Sequence, residues 1–273
     1  MFRRARIASR YICLIGDDFI GGDERVIEMR WSWFRIAAAI TALSGVVAGF
    51  IVNIDRASRE MQDLELVLVN YFSLFTIVSS LLSVVALVTA ASWAQRHPGT
   101  SREPLGIAIG LAAVAGPVLL LGIVYNVLLR DTPSGIALGD SAGIALLDSY
   151  AVEVLHVVLP IYFLLDLLLA PRRRGLPWRS IVVFVVYPIG WVVYTMVRGL
   201  RVSNPDGSTS WWYPYPFLDP HGAGGYPSAF AYIGAMMVAF LAIGAAIIAI
   251  GRYRERRASV RGGAASARGA LHV

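Results

Sequence analysis

His156 lies inside LDSYAVEVLHVVLPIYFLLDLLLA, residues 147–170, a run apolar and long enough to cross a membrane. Ionisable side chains are costly in hydrocarbon, so an intramembrane histidine is a functional hypothesis by default. A buried imidazole kept neutral by low dielectric can take a proton from a hydroxyl and later return it to a leaving group. Thr76, in NYFSLFTIVSS (70–80), offers such a hydroxyl. If both spans are entered from the outer side, near Leu66 and Asp148, Thr76 lies about 15 Å and His156 about 12 Å along helices that rise about 1.5 Å per residue. The pair is expected at matched depth, as the minimal parts of a nucleophile and its base. The competing structural roles are a threonine bonded to its own helix backbone and a histidine bonded across to a neighbouring helix.

Other polar residues sort around this pair. Glu153 precedes His156 by three residues and so shares its helical face, as a candidate third member of a relay. The Glu-x-x-His spacing also occurs in carboxylate-bridged metal sites, but those need a second such motif and further glutamates. No other span offers them, so neither metal nor cofactor is expected. Asp166 sits near the far end of its run, beside Arg172, Arg173 and Arg174, where an ion pair or a topology role is expected. In the segment RVSNPDGSTSWWYPYPFLDPHGAGGYP (201–227), Tyr215, Asp219 and His221 are candidate accessory groups. Its aromatic residues suit the headgroup level, either as a cap over a cavity or as a plain interfacial anchor. Cys13 is the only cysteine, which excludes an intramolecular disulfide and a multi-cysteine metal site.

The elements that must position these residues are membrane helices. The chain of 273 residues is 57% hydrophobic and 15% charged, with a mean hydropathy of +0.63. Soluble domains run near half apolar and about a quarter charged. A span needs roughly 20 apolar residues, and six runs qualify: 36–54, 66–94, 105–129, 147–170, 180–197 and 226–251. The expected fold is all-α, one polytopic bundle of six transmembrane helices over residues 31–251. Residues 1–30 are expected as a cytoplasmic tail, because the apolar run Tyr11–Gly16 is shorter than the roughly 7–15 residues of a cleavable signal. Residues 252–273 are expected as a basic, disordered tail. The second run is long enough to imply tilt or an interfacial extension.

All 24 basic residues are arginine. With both termini inside, the cytoplasmic segments carry 18 of them and the outer loops 5, which is the positive-inside pattern. Topology therefore explains the basic balance, and nucleic acid is not the expected partner. The arginine, alanine, glycine and valine usage suggests a bacterial genome, hence the cytoplasmic (inner) membrane. Gly45 with Gly49, and Gly106 with Gly110, form G-x-x-x-G patterns, expected to serve packing within the bundle.

Four segments taken in order, NYFSLFTIVSS (70–80), LHVVLPIYFLLD (155–166), YPIGWVVYTMVRG (187–199) and WWYPYPFLDPHGAGGY (211–226), carry a resemblance. Over residues 35–250 the chain resembles the six-span androgen-induced membrane protein family and its bacterial relatives. The resemblance implies a threonine hydrolase of fatty acid esters of hydroxy fatty acids, with an intramembrane threonine and histidine that fall on Thr76 and His156. It places Tyr215, Pro216 and Phe217 at the mouth of the site; Glu153 has no counterpart in it. The expected function is a membrane-embedded hydrolase of lipid-type carboxylic esters, with membrane lipids or a lipid-like ester as partner. The rival is a non-catalytic carrier or structural membrane protein, with Glu153 and His156 lining a polar cavity.

Overall fold

The computed structural model describes the backbone of residues 2–98, 102–130, 140–171 and 173–270, and side chains from 26 to 257 within those segments except 128–129. Among these residues every regular element is helical: α1 (Phe2–Arg59), α2 (Leu64–Ser73), α3 (Phe75–Arg96), α4 (Leu105–Val124), α5 (Ala142–Glu153), α6 (Leu159–Leu169), α7 (Val183–Gly199) and α8 (Gly225–Ala270). Single π turns, Tyr125–Leu129 and Val154–Val158, extend α4 and join α5 to α6. Six helical stretches are long and apolar enough to span a membrane, so the chain is a multi-pass membrane protein. An even number of spans leaves the start of α1 and the end of α8 on one face of the bundle, called here the terminal face.

Apolar residues cover both the inside and the outside, as a lipid-embedded bundle requires. The core is rich in alanine (Ala39, Ala42, Ala90, Ala112 and Ala115), wedged by Leu111, Phe163 and Phe184, all close to fully buried. Small side chains allow close backbone approach where no hydrophobic force drives helices together. Ile40, Val85, Leu164, Val186 and Val238 point outward.

Three expectations change. The second apolar run is two helices, broken at Leu74, whose ψ of 134° is extended. The C-terminal segment expected as disordered is helical through Ala270, and residues 2–30 of the segment expected as a cytoplasmic tail are helical and continuous with α1. No proline interrupts either segment, and arginine, glutamate and alanine are good helix formers. The two glycine patterns also part company. A Cβ on Gly45 would meet Val154 Cγ1 at 2.8 Å, and one on Gly49 the Tyr71 hydroxyl at 2.9 Å, so these glycines seat α1 against its neighbours. Gly106 and Gly110 have nothing within 4 Å, and they do not pack inside the bundle.

Ionic clusters close both ends. On the terminal face Asp166, wholly buried, accepts from Trp31 Nε1 at 2.8 Å, Arg35 Nε at 3.1 Å and Arg173 Nη1. Arg35 also pairs with buried Glu103 at 2.5 Å. Asp166 thus does form an ion pair with the arginine run, as its position suggests. It also ties α1 to α6, which sequence proximity does not reveal. Arg254 of α8 donates to the carbonyls of Leu167 and Ala170 at the end of α6, satisfying acceptors that every helix C-terminus leaves open. At the opposite face Arg56 bridges Asp140 and Asp148, each at 2.7 Å, fixing the end of α1 to the start of α5. Hydrogen bonds from Arg56 and Arg59 hold the Asp140 carboxyl below the usual carboxylate range.

Candidate active site

The local sequence around His156 breaks the regular helix. Pro160 has no N–H, and a proline ring clashes with the carbonyl four residues earlier, here that of His156. The chain widens into the π turn Val154–Val158 just before it. Such turns concentrate at functional sites. The His156 carbonyl, deprived of its helical donor, accepts from Asn126 Nδ2 at 3.1 Å, and the same amide donates to Gly122 O at 2.8 Å. Asn126 belongs to the other π turn, so the two distortions are stitched together. A Cβ on Gly122 would meet Pro160 Cβ at 2.7 Å, so only glycine permits this approach.

These contacts set the imidazole. Nδ1 lies 3.0 Å from the Val152 carbonyl. A carbonyl only accepts, so Nδ1 carries the proton and Nε2 presents its lone pair. Nε2 is 3.5 Å from Thr76 Oγ1. The Tyr125 ring backs the imidazole at 4.8 Å between centroids. An activated hydroxyl needs its base within roughly 2.6–3.2 Å, but such contacts are often longer before substrate binds. The two residues therefore stand one short adjustment from a nucleophile–base contact.

Thr76 is positioned by the break at Leu74. The carbonyl of Ser73, at the end of α2, accepts from Trp191 Nε1 at 2.9 Å. The N–H groups of Phe75, Thr76 and Ile77 open α3 and have no intrahelical acceptor; the first bond of the new helix runs from Val78 to Leu74 at 3.1 Å. Unsatisfied backbone groups are tolerated at membrane depth only where protein buries them or a cavity is lined. Here the Tyr215 side chain, on the same cavity wall, meets the Thr76 hydroxyl, and its oxygen is placed to accept from the N–H groups of Phe75 and Thr76. The loop between α7 and α8 thus dips into the bundle at the helix break.

Thr76 and His156 share the wall of a cavity of about 70 Å³. A water needs roughly 10–15 Å³ on this scale, so the space holds a functional group and a few atoms beyond it. Phe75, Leu120, Trp191, Leu218, Met237 and Phe240 make it apolar, and Thr76, His156, Tyr125 and Tyr215 are its polar side chains. Phe217 also lines it, while Pro216 is exposed.

The other sequence candidates lie elsewhere. Glu153 does not bond the imidazole: both its oxygens accept from Arg130 Nη2 at 2.9 Å, at a half-exposed position. The shared helical face is undone by the π turn that begins at the next residue. The Nδ1 contact expected of Glu153 is made by the Val152 carbonyl instead. Asp219 accepts from His221 Nδ1 at 2.9 Å, and His221 stacks on Trp211 with centroids 3.9 Å apart. That pair ties the loop to itself and does not line the cavity. Among the described residues no group of three histidine, cysteine or acidic side chains is placed to hold a metal. Sequence reasoning missed Asn126, Tyr125 and Trp191. A lone asparagine in an otherwise apolar span was the available signal, together with a proline four residues after the histidine.

Searches against protein-family models, curated proteins and solved structures find no match to this chain.

Proposed function

We propose that this membrane protein hydrolyses lipid-type carboxylic esters, with Thr76 as nucleophile and His156 as general base. The observation that carries this reading is the 3.5 Å approach of Thr76 Oγ1 to an imidazole nitrogen whose lone pair is left free, on the wall of an apolar cavity. His156 takes the Thr76 proton as Oγ1 bonds to the ester carbon, and the carbonyl π pair moves onto oxygen. Collapse breaks the carbon–oxygen bond to the leaving alcohol, which receives the proton from Nε2. Water repeats the sequence on the acyl–threonine, releasing the acid and restoring the hydroxyl. The apolar walls of the site favour an acyl chain over a polar substrate, and the resemblance read from residues 35–250 points the same way. The 18-to-5 arginine asymmetry supports placing both termini in the cytoplasm of a bacterium, with the chain in its inner membrane.

The test is hydrolysis of p-nitrophenyl decanoate by the full chain purified in detergent. Thr76→Ala and His156→Ala are expected to abolish turnover while keeping a monodisperse, wild-type melting profile. Turnover that survives Thr76→Ala refutes the assignment.

A further inference from the structure

The proposed hydrolase reaction lacks a group to hold the charge that develops on the carbonyl oxygen, and this inference rests on that reading. Attack by Oγ1 places the nascent oxyanion next to Oγ1, on the side away from the base. The groups on that cavity wall are Phe75 and Thr76, whose N–H groups open α3, and Tyr215, which lines the same cavity with its phenol in hydrogen-bonding reach of them. We propose that Tyr215 is the side-chain oxyanion donor of the site, completing a hole whose backbone part is the start of α3.

The surroundings hold this phenol in place. Its ring packs on Trp191 at 6.0 Å and stacks on Phe217 at 5.3 Å with planes 9° apart. Trp191 in turn is pinned to the Ser73 carbonyl at the helix break. The residue that caps α2 therefore also buttresses the donor that faces the first N–H groups of α3. Before substrate binds, the phenol oxygen accepts from those N–H groups. The carbonyl oxygen of an ester enters between them, takes the backbone N–H bonds and receives the phenol O–H as a third. The proton stays on Tyr215 throughout; it donates without transfer. This donor comes from the loop rather than from a span, so ordering of residues 215–218 is coupled to assembly of the site.

Donors aimed at an oxyanion act in the transition state, where removal of one costs roughly 100-fold to 1,000-fold in turnover. Tyr215→Phe keeps the ring and its stacking and deletes only the O–H. Tyr213→Phe is the matched control, because the Tyr213 hydroxyl is buried on the same loop with no hydrogen-bond partner and is outside the cavity wall. The experiment measures the rate at which a decyl fluorophosphonate labels the detergent-purified full chain, with p-nitrophenyl decanoate turnover alongside. Tyr215→Phe should label Thr76 roughly 100-fold more slowly or worse, with kcat reduced and KM little changed, while Tyr213→Phe matches wild type. Wild-type labelling at Thr76 with Tyr215→Phe within about threefold of it, or faster, overturns the donor role and leaves the nucleophile standing. A loss expressed only in KM also overturns it, since that marks a binding or packing contact. Absence of labelling at Thr76 in every variant overturns both this inference and the hydrolase reading.

Discussion

Asn126 is the residue whose removal tests the architecture around His156 without touching either reacting group. Its amide is the donor that answers the carbonyl freed by Pro160, at 3.1 Å. Interhelical hydrogen bonds in membranes average about 0.6 kcal/mol, whereas an orphaned buried carbonyl costs about 1–3 kcal/mol. The second figure applies here, because Pro160 removes the helical donor and lipid supplies none, so Asn126→Ala should lower stability by about 1–3 kcal/mol. For a chain of this size that is a fall in melting midpoint of about 2–10 °C. Pro160→Ala restores a backbone N–H four residues beyond His156, within reach of the same carbonyl. In the double variant the loss from Asn126→Ala should therefore shrink, with a coupling of about 0.5–3 kcal/mol. The assay is a thermal double-mutant cycle of the four proteins in one detergent, read by intrinsic fluorescence. Additive losses would refute the link between the proline, the π turn and the asparagine. Turnover provides a second readout: a displacement of His156 by about 1 Å is worth roughly 100-fold, so Asn126→Ala should slow hydrolysis more than its stability loss implies.

Asp166→Ala strands Arg35 and Arg173 in the terminal-face cluster and should cost about 3–5 kcal/mol; a melting midpoint within about 2 °C of wild type in a detergent thermal-shift assay would contradict the clamp. Gly45→Val drives a branched side chain against Val154 and Leu155 and should destabilise by about 1–3 kcal/mol. Gly106→Ala, facing open space, should be neutral or slightly stabilising, and equal losses at the two sites would refute the packing assignment. Glu153→Gln breaks only a half-exposed pair with Arg130, worth about 0–1 kcal/mol, so ester turnover should stay within about threefold of wild type; a collapse in turnover would return Glu153 to the catalytic relay.

The spans were legible because length and hydropathy report directly on burial in lipid. The break at Leu74 was not, since YFSLFT contains neither proline nor glycine. It is made by partners distant in sequence, Trp191 on one side and Tyr215 on the other. Depth counting drew Thr76 and His156 together from residue numbers alone, and the structure puts their side chains 3.5 Å apart despite a kink that the count ignored. Glu153 failed for the opposite reason: an i, i+3 relation assumes a regular helix, and the π turn rotates the face just where the relation was needed. Asp166 was correctly linked to the arginine run, but its partners on α1 arise only from the packing of the first span on the fourth.

The most direct test of the account is the site of covalent labelling. The full chain is treated with decyl fluorophosphonate in detergent, digested and mapped by mass spectrometry. The account predicts one adduct, on Thr76 Oγ1, absent from Thr76→Ala and strongly reduced in His156→Ala. Labelling at another residue, or the same adduct formed at an undiminished rate without His156, would contradict it.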